Sequence, residues 1–180
     1  MSRKIIVLAL ASAFGMQFAN ASDGTINFNG ELTAQTCTIA VNGSVTPAVA
    51  TVTLPTVTTA DLTAAGQTAG KTGFNIQLSN CSGTAKTAAA FFEPGSSVDP
   101  VSGNLKNVSG GASNVNFQLV DPVNGSVIKA GDTLQRTSTS RTTLNATGAT
   151  TMPYAVQYYA TGTTTAGTVV SSVTYSIDYQ

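Results

Sequence analysis

Period-two alternation of apolar and polar residues marks both ends of this chain. Val173-Thr174-Tyr175-Ser176-Ile177-Asp178-Tyr179-Gln180 alternates up to the last residue, and Ile26-Asn27-Phe28-Asn29-Gly30-Glu31-Leu32 does the same near the beginning. Such alternation describes strands with one buried and one wet face. Two internal segments are equally clear: Phe74-Asn75-Ile76-Gln77-Leu78 before Cys81, and Val115-Asn116-Phe117-Gln118-Leu119 before the Asp121-Pro122-Val123-Asn124-Gly125 turn. A terminal strand leaves its outer backbone groups unpaired, a hazard that monomers suppress with charge or proline. Neither end carries such a block, so the pattern points to strand exchange between chains and to an assembling subunit.

The 29 threonines and 17 glycines move local propensity away from helices and toward strands and turns. Turn signals such as Asn42-Gly43, Pro55, Gly66, Pro94-Gly95, Gly110-Gly111, Gly148 and Gly162 recur at the cadence of a sandwich or barrel. Strands are predicted near residues 25–41, 49–54, 72–80, 87–93, 113–120, 126–130, 141–147, 153–161 and 170–180. Residues 60–70 have room for one helical turn, and the Thr-rich stretch 133–151 reads either as short strands or as loop. The class is all-β.

Met1-Ser2-Arg3-Lys4, an apolar run from Ile5 to Phe14, and Ala19-Asn20-Ala21 form the basic, hydrophobic and small-residue pattern of a secretory signal, so residues 1–21 are expected to be removed. The apolar run is too short for a membrane-spanning helix, and no later stretch reaches the ~20 apolar residues one needs. The remainder is one domain of ordinary size. It holds six Lys and Arg against eight Asp and Glu, a formal charge of −2, which with no basic cluster argues against a nucleic-acid partner. Cys37 and Cys81 both lie in the exported part, where an oxidising compartment favours a bridge over a reactive thiol pair.

There is no histidine, which removes Ser-His-Asp and Cys-His nucleophilic catalysis and the usual zinc and iron sites. No two acids lie close in a motif that would suggest a paired-carboxylate hydrolase, and no cofactor is implied. Gly66-Gln67-Thr68-Ala69-Gly70-Lys71-Thr72 imitates a phosphate loop but has one residue too few between its glycines and a strand pattern after it. Lys71 is therefore read as a solvated turn residue, and the chain as no enzyme.

The donor-like segment 26–32 before Cys37, Gly73 to Leu78 leading to Asn80-Cys81, and Tyr158-Tyr159-Ala160-Thr161-Gly162 occur together with a penultimate aromatic, Tyr179, and a glycine fourteenth from the end, Gly167. In this combination the chain resembles the pilins of the chaperone–usher pathway, close to the type 1 fimbrial major subunit family. Between about Thr84 and Thr151 the match is only one of general β character. The resemblance implies an incomplete immunoglobulin-like β-sandwich lacking its last strand, with an N-terminal donor-strand extension at residues 22–33 and a pilin domain at 34–180. It also implies a structural subunit of an adhesive surface fimbria, exported through the periplasm and polymerising by donor-strand complementation, a known mode of strand addition.

The implied partners are other copies or related pilins, a periplasmic chaperone and an outer-membrane usher, with host contact made through the whole fibre. Ile26, Phe28, Gly30 and Leu32 share parity and would enter a neighbour's groove, with Gly30 at a shallow place in it. Val173, Tyr175, Ile177 and Tyr179 would form the facing row of the acceptor strand, and chaperone residues would grip the carboxylate of Gln180. The alternatives are a minor adaptor pilin, a self-contained carbohydrate-binding sandwich, and a small outer-membrane barrel; the absence of Trp and the paucity of aromatics disfavour the last two.

Overall fold

A computed structural model describes residues 35–180, in which the alternating segments become strands. Strand β1 (Thr36–Val41) turns through Asn42-Gly43 into β2 (Ser44–Val45). Asn42 and Gly43 have φ values of 46° and 85°, the left-handed pair that a two-residue hairpin turn requires. After an extended stretch and a single 3-10 turn (Thr59–Asp61) comes the longest strand, β3 (Thr68–Ser82), followed by β4 (Thr87–Phe92). The remaining elements are β5 (Leu105–Lys106), β6 (Val115–Val120), β7 (Val127–Ile128), the short helix α1 (Gln135–Ser138), β8 (Thr142–Thr143), β9 (Thr150–Ala160) and β10 (Tyr175–Tyr179).

All strand pairings are antiparallel. The larger sheet runs β2-β1-β3-β9-β6-β5, with β7 also on β6, and the smaller runs β10-β4-β8. Their inner faces meet in one core, to which Phe74, Ile76, Leu78, Leu119, Met152, Tyr154 and Val156 come from the larger sheet and Ala88, Ala90 and Phe92 from the smaller. Small alanines on β4 admit the rings of the facing sheet. Phe92 and Tyr154 pack edge to face with centroids 5.2 Å apart, and Phe74 contacts both. The Cys37–Cys81 disulfide ties β1 to β3.

Several elements differ from the sequence expectation, each for a physical reason. Strand β9 starts at Thr150, ahead of Pro153, because Pro153 pairs with Asn75 at a position where Asn75 directs its amide and carbonyl to Asn42 on the other side. An antiparallel partner at such a position turns its own N–H away as well. That missing N–H would point past the end of β6, whose pairing with β9 stops at Ala155, so the proline disrupts no ladder. Residues 49–54 are extended but form no ladder among the described residues. The Thr-rich stretch holds α1 and the two-residue β8. The false phosphate loop belongs to β3: Gly70 (φ 64°) and exposed Lys71 form a bulge between the Ala69–Tyr158 and Thr72–Val156 pairs, so Lys71 is a strand residue and not a turn residue.

Candidate strand-acceptor groove

Strand β10 has one partner among the described residues. Thr87 and Gln180 exchange backbone hydrogen bonds (Thr87 N to Gln180 O, 2.8 Å; Gln180 N to Thr87 O, 3.0 Å), and Glu93 N donates to Thr174 O at 2.9 Å. Alternate residues of an antiparallel ladder face opposite sides. The backbone groups of Ser176 and Asp178 therefore face β4, and those of Tyr175, Ile177 and Tyr179 face outward, where no described strand lies.

The side chains of Val173, Tyr175, Ile177 and Tyr179 all pack from one side against the shared core. Residues 49–57 approach the same core in the same manner. Ala50, Val52 and Leu54 alternate inward between exposed threonines, while among the described residues the main chain of this stretch has no ladder or backbone hydrogen bond. Ahead of β10, residues 56–59 and 164–170, the latter hydrogen-bonded to the 107–113 loop, line an open groove of about 630 Å³ whose apolar lining includes Val57, Leu62, Val115, Tyr158 and Val169. Strand β10 thus has one unsatisfied ladder edge, and residues 49–57 have no ladder on either side among the described residues. Among the described residues, the buried Tyr175 hydroxyl also lacks a hydrogen-bond partner. Burial pushes the phenols of Tyr175 and Tyr179 above their ordinary value.

Strand β10 is held firmly despite its open edge. Gly167 lies so close to the 110–112 loop that an added Cβ would strike Ala112 N and stand 2.6 Å from Gly111 C. Asn107 stitches the same region: its Oδ1 accepts from Gly110 N (2.9 Å) and Val170 N (2.8 Å), and its Nδ2 donates to Ala112 O at 2.8 Å. At the other end, Arg136 Nη1 lies 3.0 Å from Asp178 Oδ2, and Arg141 Nη2 donates to Asp178 O at 2.8 Å. These contacts fix β10 against β4 and leave its far edge as the accessible one.

Val173, Tyr175, Ile177 and Tyr179 all pack against the shared core; β10 proper begins only at Tyr175, and Gln180 follows its end. Gly167 stands outside the strand and secures its approach. Ile26, Phe28, Gly30 and Leu32, and the signal and extension boundaries, lie outside the described residues. Sequence reasoning missed the wall at residues 49–57 as part of the site, although its alternation was visible. It also missed Asn107, Arg136 and Arg141, whose roles depend on contacts more than 30 residues away and leave no local signal.

Comparison with known proteins agrees with this geometry. The model of the type-1 fimbrial protein, A, family (FimA) matches residues 54–180. The chain is 43% identical over 165 residues to the major fimbrial subunit SMF-1 of Stenotrophomonas maltophilia, covering 89% of this chain and 95% of that one. It is 38% identical over 179 residues to the F17 fimbrial protein of Escherichia coli, covering 97% of each. In fold it resembles the P pilus rod subunit PapA, with a TM-score of 0.57 at 16% identity over 80% of this chain and 99% of that one. A chain from the structure of a chaperone–usher pilus gives 0.59 at 18% identity, over 88% and 96%. With its described strands arranged as an open two-sheet sandwich and a family match across most of its length, the chain belongs to the type-1 fimbrial protein family.

Proposed function

We propose that this protein is a structural subunit of a fimbria, exported to the cell surface, whose groove beside β10 is filled by a strand from another subunit. One observation carries the reading: the outward backbone groups of Tyr175, Ile177 and Tyr179 have no ladder partner among the described residues although their side chains pack on the shared core, and residues 49–57, packed on the same core, have no ladder either. A strand lying between them would satisfy both edges at once. Its role is structural and not catalytic.

The natural occupant is the segment at residues 22–33 of a neighbouring subunit, with residues 34–180 as the receiving domain. Ile26, Phe28 and Leu32 share parity, and full burial of each such side chain contributes about 1.5–3 kcal/mol. Gly30 would sit where the floor rises, and a large residue there should slow assembly. Before assembly, a periplasmic chaperone would hold the groove, contacting the end of the chain at Gln180, and an usher would pass the subunit into the fibre.

Deleting residues 22–32 tests this assignment. The variant should fold, bind chaperone and accept a donor strand, but fail to join the preceding subunit. Fibres of normal length from cells expressing only this variant would refute it.

A further inference from the structure

The smaller sheet has a second edge, and its chemistry is the reverse of the first. Thr87 and Glu93 of the β4 segment direct their backbone groups to β10, so Ala88, Ala90 and Phe92 direct theirs to the opposite side. On that side β8 covers only Thr87 and Ala88. Beyond it the edge continues for two turns of the pleat, a length sufficient to start a new ladder.

Side chains occupy that edge in place of a strand. Ala90 N donates to the Tyr154 hydroxyl at 2.7 Å. Phe92 N donates to Gln135 Oε1 at 2.9 Å, and Gln135 Nε2 donates back to Phe92 O at 3.0 Å. The Gln135 carboxamide thereby makes the same paired donation and acceptance that a peptide unit of a neighbouring strand would make. Gly131 N adds a second bond to Phe92 O at 2.8 Å. The amide is locked in place: Gln135 is 3% exposed, and both its main-chain N and its Nε2 donate to Asp132 O at 3.1 Å.

Among the described residues, the outermost strands elsewhere, β2, β5, β7 and β8, are each two residues long. Short edges and covered edges are the means by which β proteins suppress unwanted pairing. We propose that Gln135, aided by the Tyr154 hydroxyl, is a specificity-determining residue for assembly: it closes the β4 edge so that a strand can be added only at β10. This inference rests on the reading that β10 receives a donor strand.

The test uses the chain without residues 1–21, as wild type and as Gln135→Leu, mixed with an excess of a synthetic peptide of residues 22–33. Native mass spectrometry counts the peptides bound per chain, and light scattering follows self-association. Wild type should bind one peptide. Gln135→Leu should bind a second, or self-associate at least about tenfold faster than wild type in the same peptide excess. Gln135→Glu, which keeps the acceptor for Phe92 N and loses the donor to Phe92 O, should fall between them, and it decides the matter if Gln135→Leu does not fold. A folded variant with one bound peptide and the wild-type association rate overturns the proposal. Should wild type bind no peptide, the groove reading fails, and the proposal for Gln135 is then decided by the association rates of variant and wild type alone.

Discussion

The backbone amide of Ala112 occupies the space that a side chain on Gly167 would need. This close approach lets Ala112 N donate to Thr168 O at 3.1 Å and brings the chain into β10 in the correct register. Replacing Gly167 by Ala should force the two loops apart at a cost of about 1–3 kcal/mol. For a domain of this size, thermal unfolding should then show a Tm lower by about 3–10 °C. The same change at Gly95, where a Cβ meets nothing within 4 Å, should leave Tm nearly unchanged.

Asp121 ties the turn after β6 to the segment before β8. Its Oδ1 accepts from Val123 N at 2.8 Å and its Oδ2 from Ser140 N at 2.6 Å. Burial alone would raise its pKa, but these backbone donors outweigh it and hold the carboxyl below the ordinary 3.8. A group depressed on folding adds stability above its unfolded pKa and loses that contribution as pH falls through the folded value. Asp121→Asn should therefore be less stable than wild type at neutral pH, with the gap narrowing below about pH 4. Denaturant midpoints measured between pH 2 and 7 check this, and a constant gap across that range would contradict it.

Cys37 and Cys81 are 44 residues apart in sequence, and their bridge fastens β1 to the middle layer of the larger sheet. The loop-closure estimate for such a separation is about 4 kcal/mol. Replacing both by Ala should lower Tm by about 10 °C, whereas adding reductant to that variant should change nothing further.

Ile177 stands at the centre of the open row. Its truncation to Ala removes apolar surface that is half-buried in the subunit and would be fully covered by an entering strand. Affinity for a peptide of residues 22–33 should fall about tenfold, equivalent to about 1.4 kcal/mol. Val45→Ala, at an exposed position on β2, should leave that affinity unchanged. Equal losses for the two variants in a titration would remove the groove from consideration.

Much of this was legible in the residues. Burial along β3 alternates from Phe74 through Leu78 as the sequence pattern demanded, and Asn42-Gly43 forms the turn its composition favours. The facing row of Val173, Tyr175, Ile177 and Tyr179 followed from parity alone, because a period of two leaves only one way to divide a strand. Residues 49–57 were harder to place. Their alternation signalled an extended segment, but whether such a segment joins a ladder depends on what lies beside it. Gln135 and Tyr154 left no trace, since an amide completing a β edge looks in sequence like any polar residue of a Thr-rich loop.

Local chemistry by itself determined the all-β class, the paired cysteines, the absence of histidine chemistry and the two-faced character of the last strand. Each follows from residue type or from the pitch of an extended backbone, which need no knowledge of distant neighbours. Tertiary structure alone decided which edges are open and which are closed. Hydrogen-bonding capacity is the same for every non-proline backbone unit, and only the arrangement in space assigns Ala90 and Phe92 a side-chain partner while the outward backbone groups of Tyr175, Ile177 and Tyr179 have no ladder partner among the described residues.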